Sequence, residues 1–299
     1  MSQSKMQLLK EKIRKDFPEF SIKAIKVLDT GWHHDAVEVN GSIIFLIPHH
    51  AYGQDITPDK VHREVELLRF LKDKLPVNIP DPQYVAADES YFGYPKLDGV
   101  LLDDVIGIFT HENWEQLKVD WVAIASTLHE NVSVETVRSL GVPDFKPSDS
   151  QTIKRILDIP DIDKDVMDFA LEMIRQLEAY DPDPESYVFI HYDMQPRNII
   201  INPETMRIVG LIDWTESCIG PLSREFSVHE WMQGNLLSEV ASLYEEKTGL
   251  PVDTKQARML YGIDELSGYV EYIEAEDFHE ATKYLRRIKQ LIVTESQLG

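Results

Sequence analysis

The sequence predicts an α+β fold of two lobes, a small N-terminal lobe built on an antiparallel sheet and a larger, mainly helical C-terminal lobe. Short β-branched runs separated by turn residues dominate the N-terminal part. Apolar residues at helical spacing dominate the remainder. This change of period falls near Asp98 and Gly99, so we expect the lobes to cover residues 1–97 and 98–299.

The N-terminal lobe is predicted to begin with a helix that ends near Pro18, because its apolar residues recur every three or four positions. A second helix is expected after Thr57 and Pro58, which supply an N-cap and a first-turn proline. Asn40 and Gly41 favour a type I′ hairpin turn. The predicted strands are residues 22–28, 36–40, 42–47, 83–87 and 91–97.

The C-terminal lobe is predicted to be helical apart from a short β island, which holds most of the conspicuous polar residues. The predicted helices are residues 114–129, 150–157, 166–180, 223–247 and an acidic stretch that runs to residue 292. The predicted strands of the island are residues 187–190, 199–201 and 207–212.

Composition limits the classes of partner. The net charge of −22 disfavours binding to nucleic acid or to an anionic membrane, whereas a small cationic molecule is compatible with it. No apolar run approaches the roughly 18 residues of a membrane span, and no signal peptide is recognisable. With Cys218 as the single cysteine, we expect a cytoplasmic protein.

Four polar residues of the β island form a candidate catalytic constellation. His191 precedes Asp193 by two residues, and Asn198 follows five residues later, between two β-rich runs. Asp213 closes the next strand, so its carboxylate is expected close to Asn198. Two such oxygen donors make half of a magnesium site. The alternative is that these residues are turn formers and strand caps.

Two segments resemble the antibiotic phosphotransferases of the kinase-like superfamily, which include aminoglycoside and macrolide phosphotransferases. His191 to Asn198 resembles their catalytic loop, and Gly210 to Glu216 resembles their metal-binding segment. The Trp214-Thr215-Glu216 continuation is more similar to the macrolide branch. The resemblance implies a protein-kinase-like fold over nearly the whole chain and a magnesium-dependent transfer of phosphate from ATP or GTP.

The resemblance also implies a role for each residue. Asp193 would accept the proton of the attacking hydroxyl, His191 would brace the loop, and Asn198 and Asp213 would hold magnesium. The residues expected to contact nucleotide are Glu64, Pro95, Leu97 and Ile212. Glu64 stands where the family has the glutamate that pairs with a phosphate-holding lysine.

The chain departs from the family pattern at that lysine. The matching position in the third strand is Leu46, which brings no charge to the phosphates. Candidate substitute cations are His49, His50, Lys60 and Arg63. The turn 30–34 has a single glycine, and Glu225 stands where the family has an aspartate. Either another cation serves the enzyme, or the protein binds nucleotide without turnover.

The acceptor is expected to be a cationic or amphiphilic small molecule, with a macrolide ranked before an aminoglycoside. The candidate acceptor-binding residues are Glu216, Asp264, Glu265 and Tyr269. Their acidity would attract an amine, and aromatic residues of the same stretch would contact a macrolide ring. A sugar or amino-alcohol metabolite kinase is the alternative enzyme.

Overall fold

The structure, a computed structural model, describes residues 3–30, 34–48, 57–148, 150–228 and 236–298. The chain divides into two units. The first contains Met1–Asn113, Glu135–Val142 and Arg197–Glu216, and the second contains Trp114–Val134, Pro143–Pro196 and Ser217–Gly299. The expected nucleotide-binding lobe, residues 1–97, belongs to the first unit, and the functional boundary at residue 97 stays a prediction.

The elements follow the predicted order of a sheet followed by helices. The helices are α1 (Gln3–Asp16), α2 (Pro58–Leu71), α3 (Leu102–Val105), α4 (His111–Asn131), α5 (Val134–Ser139), α6 (Ser150–Lys154), α7 (Lys164–Glu178), α8 (Leu222–Glu225), α9 (Leu236–Thr248), α10 (Thr254–Glu274) and α11 (Phe278–Leu298). The strands are β1 (Ile25–Thr30), β2 (His34–Val39), β3 (Ile43–Pro48), β4 (Tyr84–Val85), β5 (Phe92–Pro95), β6 (Val100–Leu101), β7 (Val188–Ile190), β8 (Ile199–Ile201), β9 (Ile208–Leu211) and β10 (Cys218–Gly220).

A five-stranded antiparallel sheet in the order β1-β2-β3-β5-β4 forms the framework of the first unit. Asn40 and Gly41 both have positive φ, 55° and 73°, as a type I′ turn requires. The Asn40 side chain also accepts hydrogen bonds from the backbone N–H groups of Lys23 and Ala24, at 2.8 and 3.1 Å. These observations confirm the predicted antiparallel sheet and α+β class.

The two faces of this sheet have different neighbours. Phe45 of β3 packs against Phe17, which follows α1, with ring centroids 5.6 Å apart. A Cβ at Gly93, the partner of Phe45 on β5, would lie 2.5 Å from the Phe45 ring, so only glycine fits there. Leu46 points to the opposite face because side chains alternate along a strand.

The predicted β island is two separate sheets. β8 pairs with β9 and also with β6, which had not been predicted. β7 instead pairs with β10, another unpredicted strand, in the second unit. The prediction of a single island is therefore wrong, because two- or three-residue strands such as β6 and β10 have no measurable period in the sequence.

The second unit is mainly helical. Antiparallel packing of α10 against α11 closes its C-terminal part, and Gly262 of α10 lies against Phe169 of α7. The predicted helix 223–247 corresponds to α8 and α9, and residues 229–235 lie outside the described residues. Within the described ranges, no helix combines the length and the apolarity needed to cross a membrane.

Candidate active site

Asn198 and Asp213 are brought to adjacent positions of the first unit by the pairing of β8 with β9. Ile199 is the ladder partner of Leu211, and the Ile212 N–H donates to the Asn198 carbonyl at 2.9 Å. The loop at Asn78 bonds the other edge of β9, so the strand that precedes Asp213 is held on both sides. The structure therefore places side by side the two residues for which a metal role is predicted.

The oxygen donors at this position fit magnesium. Asn198 offers an amide oxygen and is buried, whereas Asp213 is exposed and offers a carboxylate. In the part of the chain that the structure describes, no group of three or more His, Cys, Asp or Glu residues could hold a metal by itself. Such a donor pair matches an ion that takes its other ligands from phosphate and water.

Helix α2 contacts the chain just beyond Asp213 through two consecutive residues. The Arg63 guanidinium donates to the Thr215 carbonyl at 3.1 Å, and the Thr215 hydroxyl donates to the Glu64 carboxyl, also at 3.1 Å. Glu64 and Thr215 are both buried. The glutamate expected to meet a lysine thus meets a threonine.

Negative charge accumulates around Glu64. Burial, followed by the Asp213 carboxylate, raises the pKa of Glu64 from 4.5 to about 8, which the Thr215 hydrogen bond and Arg63 only partly offset. Burial and the charges of Asp213 and Glu64 likewise raise the pKa of the Tyr94 hydroxyl. Glu64 therefore holds its proton at neutral pH, as expected where no lysine compensates it.

Leu46 lies on the sheet face that carries Tyr94. Ile44 is the β5 partner of Tyr94, and Leu46 follows Ile44 by two residues, which returns its side chain to the same face. Strand β3 contains no lysine or arginine, and the match of Leu46 to the lysine position of the family stays a prediction. Of the candidate substitute cations, His49 and His50 lie outside the described residues. Arg63 donates a hydrogen bond to the Thr215 carbonyl, whereas Lys60 lies in the first turn of α2.

The remaining residues predicted to contact nucleotide belong to the same unit. Pro95 ends β5 opposite Ile43, and the Leu97 side chain lies 3.1 Å from the position that a Cβ at Gly210 would take. Ile212 follows β9 and bonds Asn198. The nucleotide-binding roles of Pro95, Leu97 and Ile212 stay predictions.

The loop around Asp193, in the second unit, is braced by short-range contacts. The His191 N–H donates to Glu225 at 2.7 Å, and the Asp193 N–H donates to Nδ1 of His191 at 3.2 Å. His191 is fully buried, and its Nδ1 is an acceptor, which supports the predicted bracing role. The Gln195 amide donates to a carboxylate oxygen of Asp193, which is half-buried.

Two buried groups support this loop from behind. Glu225 lies 3.8 Å from His129, whose other ring nitrogen is 2.8 Å from the Tyr244 hydroxyl. The buried Arg224 guanidinium lies 3.8 Å from the centre of the Tyr192 ring and 2.5 Å from Asp264. Glu225 thus braces the loop that contains Asp193.

Two of the acidic residues predicted to bind the acceptor form ion pairs with arginines. Asp264 pairs with Arg224, and Glu265 pairs with Arg287 at 2.7 Å. Burial raises the pKa of Asp264, an effect that Arg224 partly offsets. Tyr269 is buried within α10, whereas Glu216 is exposed beside the metal-binding segment. The structure does not bring Glu216 together with the α10 residues in one unit.

Sequence reasoning missed Gln195, Arg224 and the hydrogen bond of Thr215. Gln195 could have been found, since a long amide two residues after a candidate base can reach it. Arg224 was visible only as a charged residue in a largely apolar segment. The link between Thr215 and Glu64 joins residues 151 positions apart, so no local pattern reports it.

A family match gives the class of this protein, a small-molecule phosphotransferase with a kinase-like fold. Residues 24–260 match the model of the phosphotransferase enzyme family, and the chain belongs to that family. No curated protein sequence matches the chain.

Solved structures of antibiotic phosphotransferases share the fold over nearly their whole length. The GDP complex of wild-type aminoglycoside 2′-phosphotransferase-IIIa is 22% identical with a TM-score of 0.79, covering 97% of this chain and 99% of that one. Macrolide 2′-phosphotransferase type I is 16% identical with a TM-score of 0.69, covering 96% and 98%. The macrolide 2′-phosphotransferase MphH from Brachybacterium faecium is 14% identical with a TM-score of 0.64, covering 95% and 98%.

Proposed function

We propose that the protein transfers the γ-phosphate of ATP or GTP, with magnesium, to a hydroxyl group of an amine-bearing antibiotic in the cytoplasm. The observation that carries this proposal is the pairing of β8 with β9, which brings Asn198 and Asp213 to adjacent positions of the backbone. Membership of the phosphotransferase enzyme family supports the reaction class.

In the proposed reaction, Asp193 accepts the proton of the acceptor hydroxyl while the hydroxyl oxygen forms a bond to the γ-phosphorus. The bond between that phosphorus and the β–γ bridging oxygen breaks, and the nucleoside diphosphate leaves. The Gln195 amide and the bond from the Asp193 N–H to His191 fix the orientation of the carboxylate. Asn198 and Asp213 would hold magnesium, which would neutralise charge on the transferred phosphate.

The acceptor classes we propose are aminoglycosides and macrolides. The aromatic residues that favoured a macrolide are Tyr261, Tyr269, Tyr272 and Phe278. The three tyrosines of α10 are buried, so they no longer rank one class above the other, whereas Phe278, at the start of α11, is exposed. Related folds include complexes with kanamycin and gentamicin as well as macrolide enzymes. Glu216 is the exposed acid that we propose contacts the acceptor amine.

A nucleotide-binding protein without turnover is the second candidate. It is favoured by one observation, the combination of Leu46 on the sheet face with a Glu64 whose pKa is raised to about 8. Such a protein would bind magnesium nucleotide and transfer nothing.

The two candidates are separated by one pair of measurements. Thermal shift with ATP or GTP, with and without magnesium, reports nucleotide binding, and transfer of radiolabelled γ-phosphate to aminoglycosides, macrolides, sugars and amino alcohols reports turnover. We expect magnesium-dependent stabilisation by one nucleotide and labelling of an antibiotic. Stabilisation without labelling of any acceptor would favour the second candidate, and labelling only of a sugar or amino alcohol would make the protein a metabolite kinase.

A further inference from the structure

Thr215, in the segment Gly210–Glu216 proposed to bind metal, forms hydrogen bonds with two consecutive residues of α2. Arg63 bonds its carbonyl and Glu64 bonds its hydroxyl, each at 3.1 Å. The hydroxyl bond is fully removed from solvent, because Thr215 is 4% exposed and Glu64 is 3% exposed. A buried hydrogen bond of this kind holds its partners more firmly than a solvated one, since no water competes for either group.

Thr215 lies two residues beyond Asp213, whose backbone needs external support. Asp213 has a φ of +64°, a left-handed conformation that costs a non-glycine residue about 1 kcal/mol or more. On its N-terminal side, Ile212 is held by the bond to the Asn198 carbonyl. On its C-terminal side, Trp214 is buried and bonds the Leu211 carbonyl, and Thr215 is bonded to α2. The carboxylate thus projects from a turn that is fixed at both ends.

The position of Leu46 makes this connection important. No basic side chain of β3 is available to Glu64, because β3 reads Ile-Ile-Phe-Leu-Ile-Pro. The hydrogen-bonded neighbour of Glu64 among the described residues is instead Thr215. Helix α2 is therefore hydrogen-bonded directly to the segment after β9, through the hydroxyl and the carbonyl of Thr215.

We propose that Thr215, held by Arg63 and Glu64, is a positioning residue that sets the orientation of Asp213 for magnesium. The proposal rests on the proposed function, in which Asp213 holds the ion. In this proposal, the two hydrogen bonds between α2 and Thr215 position the Asp213 carboxylate. No lysine of β3 takes part, because β3 has none.

The test measures the magnesium concentration that half-saturates nucleotide binding, by calorimetry with ATP or GTP, together with the melting temperature of each variant. Thr215→Val keeps the branched shape and removes the hydroxyl, so we expect the half-saturating concentration to rise about tenfold, the effect of losing one buried hydrogen bond. Thr215→Ser retains the hydroxyl and is expected to restore binding to within about twofold of wild type. The matched control is Thr127→Val, because the Thr127 hydroxyl bonds the Ala123 carbonyl within α4.

A second variant separates positioning from folding. Arg63→Met removes the bond to the Thr215 carbonyl and keeps a long apolar side chain, so we expect a rise of severalfold in the same concentration. Nucleotide affinity in the absence of magnesium should stay unchanged, whereas loss of a cation that contacts the phosphates would lower it. If Thr215→Val melts far below wild type, the Arg63→Met result decides the proposal. Half-saturation within twofold of wild type in folded Thr215→Val and Arg63→Met overturns the positioning role alone. Wild-type protein that binds no nucleotide in a magnesium-dependent way overturns the metal role of Asp213 and with it both proposals.

Discussion

At the scale of single residues, the most unusual feature is a buried carboxyl group without a lysine. Glu64 is buried, accepts a hydrogen bond from Thr215 and lies in the field of Asp213. Burying an ionised carboxylate costs free energy, and protonation removes this cost, so burial raises the pKa of Glu64.

This pKa makes stability depend on pH in a defined direction. The pKa of Glu64 is about 8 in the folded protein and 4.5 for the unfolded group. The contribution of Glu64 to the free energy of unfolding is therefore fully present below the unfolded pKa and is lost as the pH rises through the folded pKa. We expect Glu64→Gln to gain stability relative to wild type between roughly pH 6 and pH 8, by up to about 1.4 kcal/mol per pH unit. Denaturant unfolding of both proteins in buffer that contains a metal chelator measures this difference in the free energy of unfolding.

The control for that measurement is Glu204→Gln, which neutralises an exposed glutamate in the turn after β8. The difference between Glu204→Gln and wild type should stay flat over the same range of pH. A flat difference for Glu64→Gln as well would show that Glu64 is ionised in the folded protein at neutral pH.

Where a local motif exists, the sequence predicted the position of the candidate residues along the chain, and their roles stay predictions. His191, Asp193 and Asn198 stand at fixed spacing, and Asp213 ends a recognisable strand, so their positions followed from the pattern. The neighbours of Glu64 did not follow, because contacts between α2 and the segment after β9 exist only in the folded chain.

At the scale of secondary-structure elements, β3 carries Leu46 where the resemblance implies a lysine, whereas α2 keeps the expected glutamate, Glu64. Leu46 of β3 shares a sheet face with Tyr94, and the pKa of Tyr94 is raised partly by the charges of Glu64 and Asp213. A cation introduced at Leu46 would therefore enter a region of negative charge.

We expect Leu46→Lys to tighten binding of magnesium nucleotide by about tenfold, through attraction to the phosphates and an ion pair with Glu64. The dissociation constant by calorimetry checks this. Leu28→Lys is the matched control, since it adds the same charge at an exposed position of the same sheet. Binding that is unchanged or weaker in Leu46→Lys, in a folded variant, would mean that another cation already serves the phosphates.

The longer elements were predictable and the shortest were not. The apolar period located α1, α2 and α7, and the Asn40-Gly41 turn set the β2–β3 hairpin. β6 and β10 escaped prediction because they depend on partners distant in the chain, β8 and β7. The sequence thus predicted the antiparallel sheet but merged two small sheets into one island.

At the scale of the whole molecule, the sequence predicted the α+β class, and the match over residues 24–260 confirms the phosphotransferase family. The acceptor did not follow from composition. Acidic residues that looked available for an amine, such as Glu265, form ion pairs with arginines in the folded protein. The number of acidic residues in the sequence therefore does not by itself predict a binding site for an amine.

The central claim is that this chain is a working phosphotransferase in which Asp193 is the base. The most direct measurement is the rate of magnesium-dependent γ-phosphate transfer to the acceptor found in the panel, for wild type, Asp193→Asn and the control Asp161→Asn. Asp161 is exposed and has a φ of +57°, which asparagine tolerates. We predict that Asp193→Asn lowers kcat at least about a hundredfold with nucleotide binding unchanged, while Asp161→Asn matches wild type. Transfer by Asp193→Asn within tenfold of wild type would contradict the claim.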